Sequence, residues 1–278
     1  MLSLPPPQIE DRSTAMSDVD DFNSFLSSYK VDHLQLKLMH AQEVHYQISA
    51  DYLSSSSATV TTADRHALCT WSYQIIDSMS NMKITREIAC IGMSYLDRFM
   101  ATSSTRAQVA LSSTHEYQLA TVVCTVIAIK NRGGITLGTN FVADVVCHGL
   151  YTNDELNVME MEILQALTWR LNGPSPHEFI DAVMGLLPAF SVNCGAASLL
   201  LSKQSKIKVE TAVLDYDLAL QSSSSLAYAA ILTTFQTSSN VRNGFEPTDL
   251  IDWMSNTSQS RVMAGGSAHR QGYVTSLF

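Results

Sequence analysis

Three features that the 278-residue sequence lacks exclude broad classes of protein. No apolar run is long enough for a membrane span, and residues 1–30 carry no signal-peptide pattern, so we expect no membrane partner. Lys and Arg nowhere form a cluster of five or more and the formal net charge is −9, which argues against a nucleic-acid partner. Charged residues make up 15% of the chain and apolar residues 46%, so the composition indicates a sizeable folded core.

The sequence also lacks the motifs of metal and cofactor sites. The five cysteines are Cys69, Cys90, Cys124, Cys147 and Cys194. They include no Cys-x-x-Cys pair and four fall within apolar helical patterns, which predicts buried free thiols and a reducing, intracellular location in the nucleus or cytoplasm. His40 and His45 are five residues apart, whereas a helical zinc pair needs four. We therefore predict no metal and no cofactor.

Apolar residues recur at helical spacing through most of the chain, and no strand-like alternation competes, so we predict an all-α protein. The helix predicted over 117–130 has almost no polar face, which indicates that it lies at the centre of a bundle. Pro174 and Pro176 separate this bundle from a second helical block. The predicted divisions are a flexible tail (1–33), a helix with a linker (34–60), the bundle domain (61–172), the second block (173–260) and a loosely ordered tail (261–278).

Capping and breaking residues suggest where individual helices begin. Thr61 or Thr62 can cap the helix after the linker, and Asn153 or Asp154 can cap a later helix of the bundle. The first helix is predicted to point Leu38, Val44, Ile48 and Tyr52 inward. The predicted helices include 34–53, 141–148, 153–169, 176–187, 206–220, 223–235 and 247–255, and residues 102–114 are predicted to be a polar connector.

Asp97 and Arg98 form an adjacent pair of opposite charges inside an otherwise apolar helical segment. A helix that is apolar on nearly every side is buried, and a buried carboxylate is costly unless a cation meets it. Arg65, at the start of the preceding helix, is the best candidate for the partner of Asp97. The alternative is that Arg65 is a solvated residue at a helix start, and spacing alone leaves both open.

Two other charges lie at the edges of apolar stripes. Lys130 ends the central helix and shares a face with Val123 and Val126, and Glu160 heads a stripe that continues through Ile163. Such charges are commonly solvated rim residues. The pattern alone therefore leaves two roles open for Lys130 and Glu160: solvated rim residues or partner-binding residues.

Taken together, these residues resemble the cyclin box, in the right order over residues 65–179. The matching segments are Arg65-x-x-Leu68-x-x-Trp71, Tyr95-Leu96-Asp97-Arg98-Phe99, Gln118-Leu119, Ala128-Ile129-Lys130, Met159-Glu160-x-x-Ile163-Leu164-x-x-Leu167, and Leu171 to Pro176 followed by Phe179. The resemblance implies tandem five-helix cyclin folds, the second one divergent or incomplete, with an extra N-terminal helix.

The resemblance also implies roles for the matched residues. Arg65 and Asp97 correspond to the internal ion pair of the family, which is structural. The kinase-binding set that it implies is Lys130, Glu160, Leu119, Val126 and Ile163, with Leu119 at a core position of the central helix. The residues that match the patch through which some members dock kinase substrates or inhibitors are Leu68, Trp71 and Gln118.

The implied function is that of a non-catalytic regulatory subunit. Such a subunit binds a cyclin-dependent serine/threonine kinase, activates it allosterically and thereby controls cell-cycle progression. No catalytic residue is expected in this chain. The alternative is a cyclin-fold adaptor or transcription-associated scaffold that uses the same helices for partners other than a kinase.

Overall fold

A computed structural model describes residues 34–54, 58–82, 84–186 and 194–242, and every regular element within these ranges is helical. The all-α prediction is therefore confirmed. The first part of the chain contains α1 (34–43), α2 (Thr62–Ser78), α3 (Arg86–Met100), α4 (Thr105–Ser112), α5 (Thr114–Arg132), α6 (Thr139–Phe141) and α7 (Asn153–Ala166). The second part contains α8 (Pro176–Gly185), α9 (Cys194–Leu214), α10 (Tyr216–Ala219), α11 (Ser223–Thr237) and α12 (Ser239–Arg242).

Reciprocal capping fixes the start of several helices. The Thr61 hydroxyl accepts a hydrogen bond from the Asp64 amide, and the Asp64 carboxylate accepts one from the Thr61 amide, so Thr61 caps α2. The same arrangement joins Thr152 to Glu155 at the start of α7. The cap of α7 is thus Thr152 and not Asn153 or Asp154, because its hydroxyl can reach the free amide of Glu155.

Helix α5 lies at the centre of the first bundle, as its apolar sequence predicted. Its side chains from Tyr117 to Ile129 are buried with the exception of Gln118, and it packs against α2, α3, α4 and α7. Gly92 lets α3 approach α5 closely, because a Cβ at this position would lie 3.1 Å from the Cα of Thr125. The core is therefore organised around the contact between α3 and α5.

Helix α1 differs from the prediction in length and in its buried face. It ends at residue 43 and passes into a 3-10 turn over Val44–Tyr46, and Leu38 and Val44 are exposed whereas Leu36 is buried. The inward face is the one that carries Glu43, whose carboxylate accepts hydrogen bonds from the amide (2.7 Å) and hydroxyl (2.8 Å) of Ser224. The start of α11 thus selects the buried face of α1.

Other boundaries also differ. The predicted connector 102–114 contains α4, which begins where Ser104 accepts a hydrogen bond from the Ala107 amide. Residues 141–148 form the end of α6 and a π-helical turn over Val142–Val146 instead of one α-helix. Helix α9 starts at Cys194, well before residue 206, and α8 ends at Gly185. The predicted helix 247–255 and both tails, 1–33 and 261–278, lie outside the described residues.

Two predicted absences can be compared with the described residues. Within 34–54, 58–82, 84–186 and 194–242, no helix has both the length and the apolar character needed to cross a membrane. In the same ranges no three His, Cys, Asp or Glu side chains are placed to hold a metal ion. Cys69, Cys90, Cys124 and Cys147 are buried and free, as predicted, and the side chain of Cys194 lies outside the described set.

Candidate functional site

Arg65 and Asp97 meet in the core as a bidentate ion pair. The Arg65 Nε donates to Asp97 Oδ1 at 2.8 Å and the Nη2 donates to Oδ2 at 2.7 Å. The two residues are 0% and 1% exposed. Burial by itself lowers the pKa of Arg65, but the charge and hydrogen bonds of Asp97 outweigh it and raise that pKa well above its ordinary value. The structure thus places Arg65 in the core and not at a solvated helix start.

Two further groups complete this buried cluster, and the sequence analysis did not assign them to it. The Tyr52 hydroxyl donates to Asp97 Oδ1 at 2.7 Å, and the Arg65 Nη1 donates to the carbonyl of Val213 at 2.8 Å. Burial, and after it the charge of Asp97, raises the pKa of Tyr52 well above its usual value, so the phenol remains a donor. The cluster therefore joins the N-terminal linker, the first bundle and the second block.

Lys130 and Glu160 are also brought together, but near the surface. The Lys130 Nζ lies 2.9 Å from Glu160 Oε1 and 2.7 Å from Oε2, so the last turn of α5 is bridged to the middle of α7. Their side chains are 32% and 25% exposed. The ammonium group carries three donors, and a carboxylate has about four acceptor sites, so both groups keep hydrogen-bonding capacity that the pair does not use.

An apolar groove lies beside this pair, between α5, α6 and α7. It is shallow and opens to solvent, and its aliphatic lining residues are each at most 8% exposed. The residues that line it are Val123, Val126, Lys130, Leu137, Thr139, Val142, Leu156, Asn157 and Glu160. The groove thus combines aliphatic walls with one cation and one carboxylate at its rim.

The inclusion of Leu119 and Ile163 among partner-binding residues needs correction. Leu119 is 1% exposed and Ile163 is 0% exposed, so neither can touch a partner while the bundle is folded. Both point into the contact between α5 and its neighbours because α5 is covered on nearly all sides. Val126 is 8% exposed and lines the groove. Leu119 and Ile163 support the surface from within.

Trp169 is a surface residue that the sequence analysis treated only as a helix end. Its side chain is 61% exposed, and its backbone φ of 58° lies in the left-handed region, as does that of Thr168. This pair of residues ends α7, because L-residues cannot continue a right-handed helix in that conformation. A large aromatic residue at the last position of the predicted helix 153–169 is the sequence signal that could have identified it.

The turn that carries Trp169 is held in place by neighbours from α3 and α5. The Arg98 Nη1 donates to the carbonyl of Arg170 at 2.9 Å, and the Tyr95 hydroxyl donates to the carbonyl of Leu171 at 2.8 Å. Asn131, next to Lys130, donates to Asn172 at 3.0 Å. The turn therefore lies against the same end of α5 that carries Lys130.

Leu68, Trp71 and Gln118 are partly exposed. Leu68 and Trp71 lie on α2 and pack against the main core, while Gln118 lies in the first part of α5. Their assignment to a substrate-docking patch stays a prediction.

The arrangement of helices has a known counterpart among solved structures. A viral cyclin from herpesvirus saimiri superposes with a TM-score of 0.60 over 87% of this chain and 97% of its own, at 20% sequence identity. At that identity the likeness concerns the fold alone. Because it extends beyond residue 172, it covers the second block as well as the first bundle. The fold is therefore a tandem cyclin fold.

Sequence comparison identifies the family. The model of the cyclin N-terminal domain matches residues 35–172, and the chain belongs to the cyclin family. A G1/S-specific cyclin-D1 of Danio rerio is 27% identical over 158 residues, which are 55% of this chain and 49% of the relative. A G1/S-specific cyclin-D2 of Gallus gallus is 28% identical over 151 residues, 52% of this chain and 46% of the relative. The chain thus spans about half the length of these curated relatives.

Proposed function

We propose that this cyclin is a regulatory subunit that binds a cyclin-dependent serine/threonine kinase through the surface formed by α5 and α7, and activates it. The observation that carries the proposal is the partly exposed Lys130–Glu160 pair at the rim of an apolar groove. Membership in the cyclin family supports the choice of partner. The role in cell-cycle progression and the nuclear or cytoplasmic location are part of the same proposal.

The chemistry of the pair suits the backbone of a partner. Lys130 uses two of its three N–H donors on Glu160, and the third can donate to a carbonyl at the end of a partner helix. Glu160 retains acceptor sites for a partner amide, and hydrogen bonds to charged groups are stronger than neutral ones. Binding can therefore add hydrogen bonds without breaking the pair, which pre-orients both side chains.

The apolar part of the interface would come from two places. Val126 and its neighbours line the groove, and Trp169 stands exposed on the turn beside the end of α5. Exposed aromatic residues on a rigid support are frequent sources of binding energy at interfaces. The hydrogen bonds from Arg98 and Tyr95 provide that support here.

Activation then follows from selection between two kinase conformations. A protein kinase transfers phosphate only when the Glu of its C-helix is paired with the Lys that holds the ATP phosphates. A cyclin that binds the conformation with this pair formed more tightly shifts the population toward it. The cyclin contributes no catalytic atom to the reaction, so its effect is on the fraction of active kinase.

The proposal is tested by replacing both charged residues, Lys130→Ala with Glu160→Ala, and measuring kinase capture and kinase activity. We expect capture to weaken by at least tenfold, about 1.4 kcal/mol, which two lost charge-assisted hydrogen bonds readily account for. The helical circular-dichroism signal should stay unchanged. Undiminished binding by the double variant would contradict the roles of Lys130 and Glu160.

A charge-reversed variant, Lys130→Glu with Glu160→Lys, is the matched control. It keeps an ion pair between α5 and α7 but exchanges the positions of donor and acceptor. If the pair served only to hold the two helices together, this variant would bind the kinase normally. We expect it to fold normally and to bind as poorly as the double alanine variant.

The same measurements of kinase capture and kinase activity distinguish the regulatory subunit from the alternative, a cyclin-fold adaptor. A cyclin-fold adaptor would retain other partners yet neither co-purify with a cyclin-dependent kinase nor raise its activity. Recovery of a kinase together with a gain in its activity on adding this chain supports the regulatory subunit.

A further inference from the structure

The outer face of α9 combines exposed apolar side chains with the densest positive charge in the chain. Leu199 and Ile207 are 75% and 51% exposed, and Lys203 lies exposed between them at four-residue spacing. Residues that follow each other at this spacing lie on one face of a helix. Lys203, Lys206 and Lys208 fall within six residues, and no other six-residue stretch of the sequence holds three Lys or Arg.

Most of this positive charge is not neutralised locally. Lys206 pairs with Asp181 of α8, with 2.7 Å between Nζ and Oδ1. Among the residues that the structure describes, Lys203 and Lys208 lie within ion-pair distance of no carboxylate. Lys203 shares the face of Leu199 and Ile207, whereas Lys208 lies about 140° around the helix from Lys203. A face that exposes large aliphatic groups beside an unpaired cation is complementary to a segment that is both apolar and acidic. A second copy of α9 is disfavoured, because it would oppose lysines to lysines.

The chain itself contains a segment of that chemistry, outside the described residues. Asp18, Asp20 and Asp21 are followed by apolar residues at the spacing i, i+3, i+4 and i+7. These apolar residues are Phe22, Phe25, Leu26 and Tyr29. Both the acidic and the apolar requirement of the α9 face are met within twelve residues, 18–29.

The place where this segment joins the described structure brings it near the second block. Helix α1 begins the described chain at Leu34, and Glu43 near its end binds Ser224 at the start of α11. Helix α11 in turn packs against α9. From Phe22 to Leu34 the chain can extend to roughly 40 Å, and such a short tether gives an intramolecular ligand a high effective concentration.

We propose that residues 18–29 of this chain dock on the outer face of α9, with the aspartates near Lys203 and the aromatic residues against Leu199 and Ile207. This interaction involves neither α5 nor α7, so it holds or fails independently of kinase binding.

Zero-length cross-linking of the full chain with a carbodiimide tests the proposal, because the reagent joins a carboxylate to an amine only when the two are in contact. Mass spectrometry should identify links from Asp18, Asp20 or Asp21 to Lys203. Links to the exposed Lys37 of α1 serve as an internal standard, because Lys37 lies close to the segment in sequence. The α9 links should decrease several-fold at about 1 M salt, where the screening length is about 3 Å.

The variant Leu199→Ser with Ile207→Ser removes the apolar contacts and keeps every lysine. We expect it to lose the α9 links several-fold relative to those at Lys37, whereas the matched control Val158→Ser, which changes an exposed residue of α7, should leave them unchanged. Absence of α9 links in the wild type, or their persistence in the double serine variant, would overturn the proposal. A mixture of isotope-labelled and unlabelled chains that gave mainly mixed links would also overturn it in favour of contact between two copies.

Discussion

Two ion pairs of nearly equal length occur in this protein, and their surroundings give them different roles. In each pair the shortest distance between a nitrogen and a carboxylate oxygen is 2.7 Å. The Arg65–Asp97 pair is enclosed in the core, whereas Lys130 and Glu160 each keep about a quarter to a third of the side chain exposed to solvent. Removing one partner of a buried pair leaves an uncompensated charge, whereas an exposed pair gains little because water screens it. Burial, more than geometry, therefore separates the structural pair from the candidate binding pair.

The largest expected effect is on the buried pair. Asp97→Ala should lower the free energy of unfolding by about 3–5 kcal/mol, because it leaves the Arg65 guanidinium charged and unpaired in the core. Chemical denaturation of the full chain measures this. Asp77→Ala is the control: Asp77 pairs with Arg86 at 2.6 Å, but both side chains are nearly half exposed, so a loss of about 0–1 kcal/mol is expected. Equal losses for the two variants would remove the distinction between the pairs.

An intermediate effect concerns pH and a thiol next to the buried pair. The Cys69 Sγ lies 4.0 Å from the same Val213 carbonyl that Arg65 binds, and burial raises the pKa of Cys69 to about 11. Because this pKa exceeds the unfolded value of about 8.5, the thiol contributes stability that is complete below pH 8.5 and is lost as the pH rises toward 11. We expect wild-type stability to fall by up to about 3 kcal/mol from this group over that interval.

The comparison of wild type with Cys69→Ala isolates this contribution. The variant is expected to be less stable at neutral pH and to show a shallower decline between pH 8.5 and pH 11 when unfolding is followed at each pH. Parallel declines would indicate that water reaches the thiol, and that the buried cluster is less enclosed than its geometry implies.

The smallest expected effect is on the surface pair. Lys130→Ala with Glu160→Ala should change the free energy of unfolding by about 0–1 kcal/mol, because the pair is partly solvated and its members do not support the core. The same variant is the one expected to lose kinase binding. A stability loss as large as that of Asp97→Ala would show that Lys130 and Glu160 also brace the bundle, and that reduced kinase capture by this variant reports unfolding.

The sequence was informative where a polar residue broke an apolar pattern. Asp97 within an apolar helix required a cation, and Lys130 and Glu160 stood out for the same reason at the ends of stripes. The sequence could not reveal that the carbonyl of Val213 accepts a hydrogen bond from Arg65, because every residue has a backbone carbonyl whatever its side chain. The prediction of the buried face of α1 was also wrong. Leu38 and Val44 suggested one face, whereas the face that is buried carries Glu43, whose carboxylate binds Ser224. Leu119 and Ile163 entered the kinase-binding set through the family resemblance, and the sequence alone does not show that neighbouring helices cover both side chains.

The third hydrogen bond of Arg65, to the carbonyl of Val213, bears on how the protein can be divided. The predicted boundary near residue 173 separates the first bundle from the second block, yet a guanidinium group of the first bundle donates to a carbonyl of the second block. A fragment that ended at the boundary would lack this acceptor and would uncover the side of α2 against which α9 packs. The first bundle and the second block are therefore not interchangeable modules. Insertion, truncation or recombination near residue 173 would have to supply a new acceptor for Arg65, and we expect the bundle and the block to unfold as one cooperative unit.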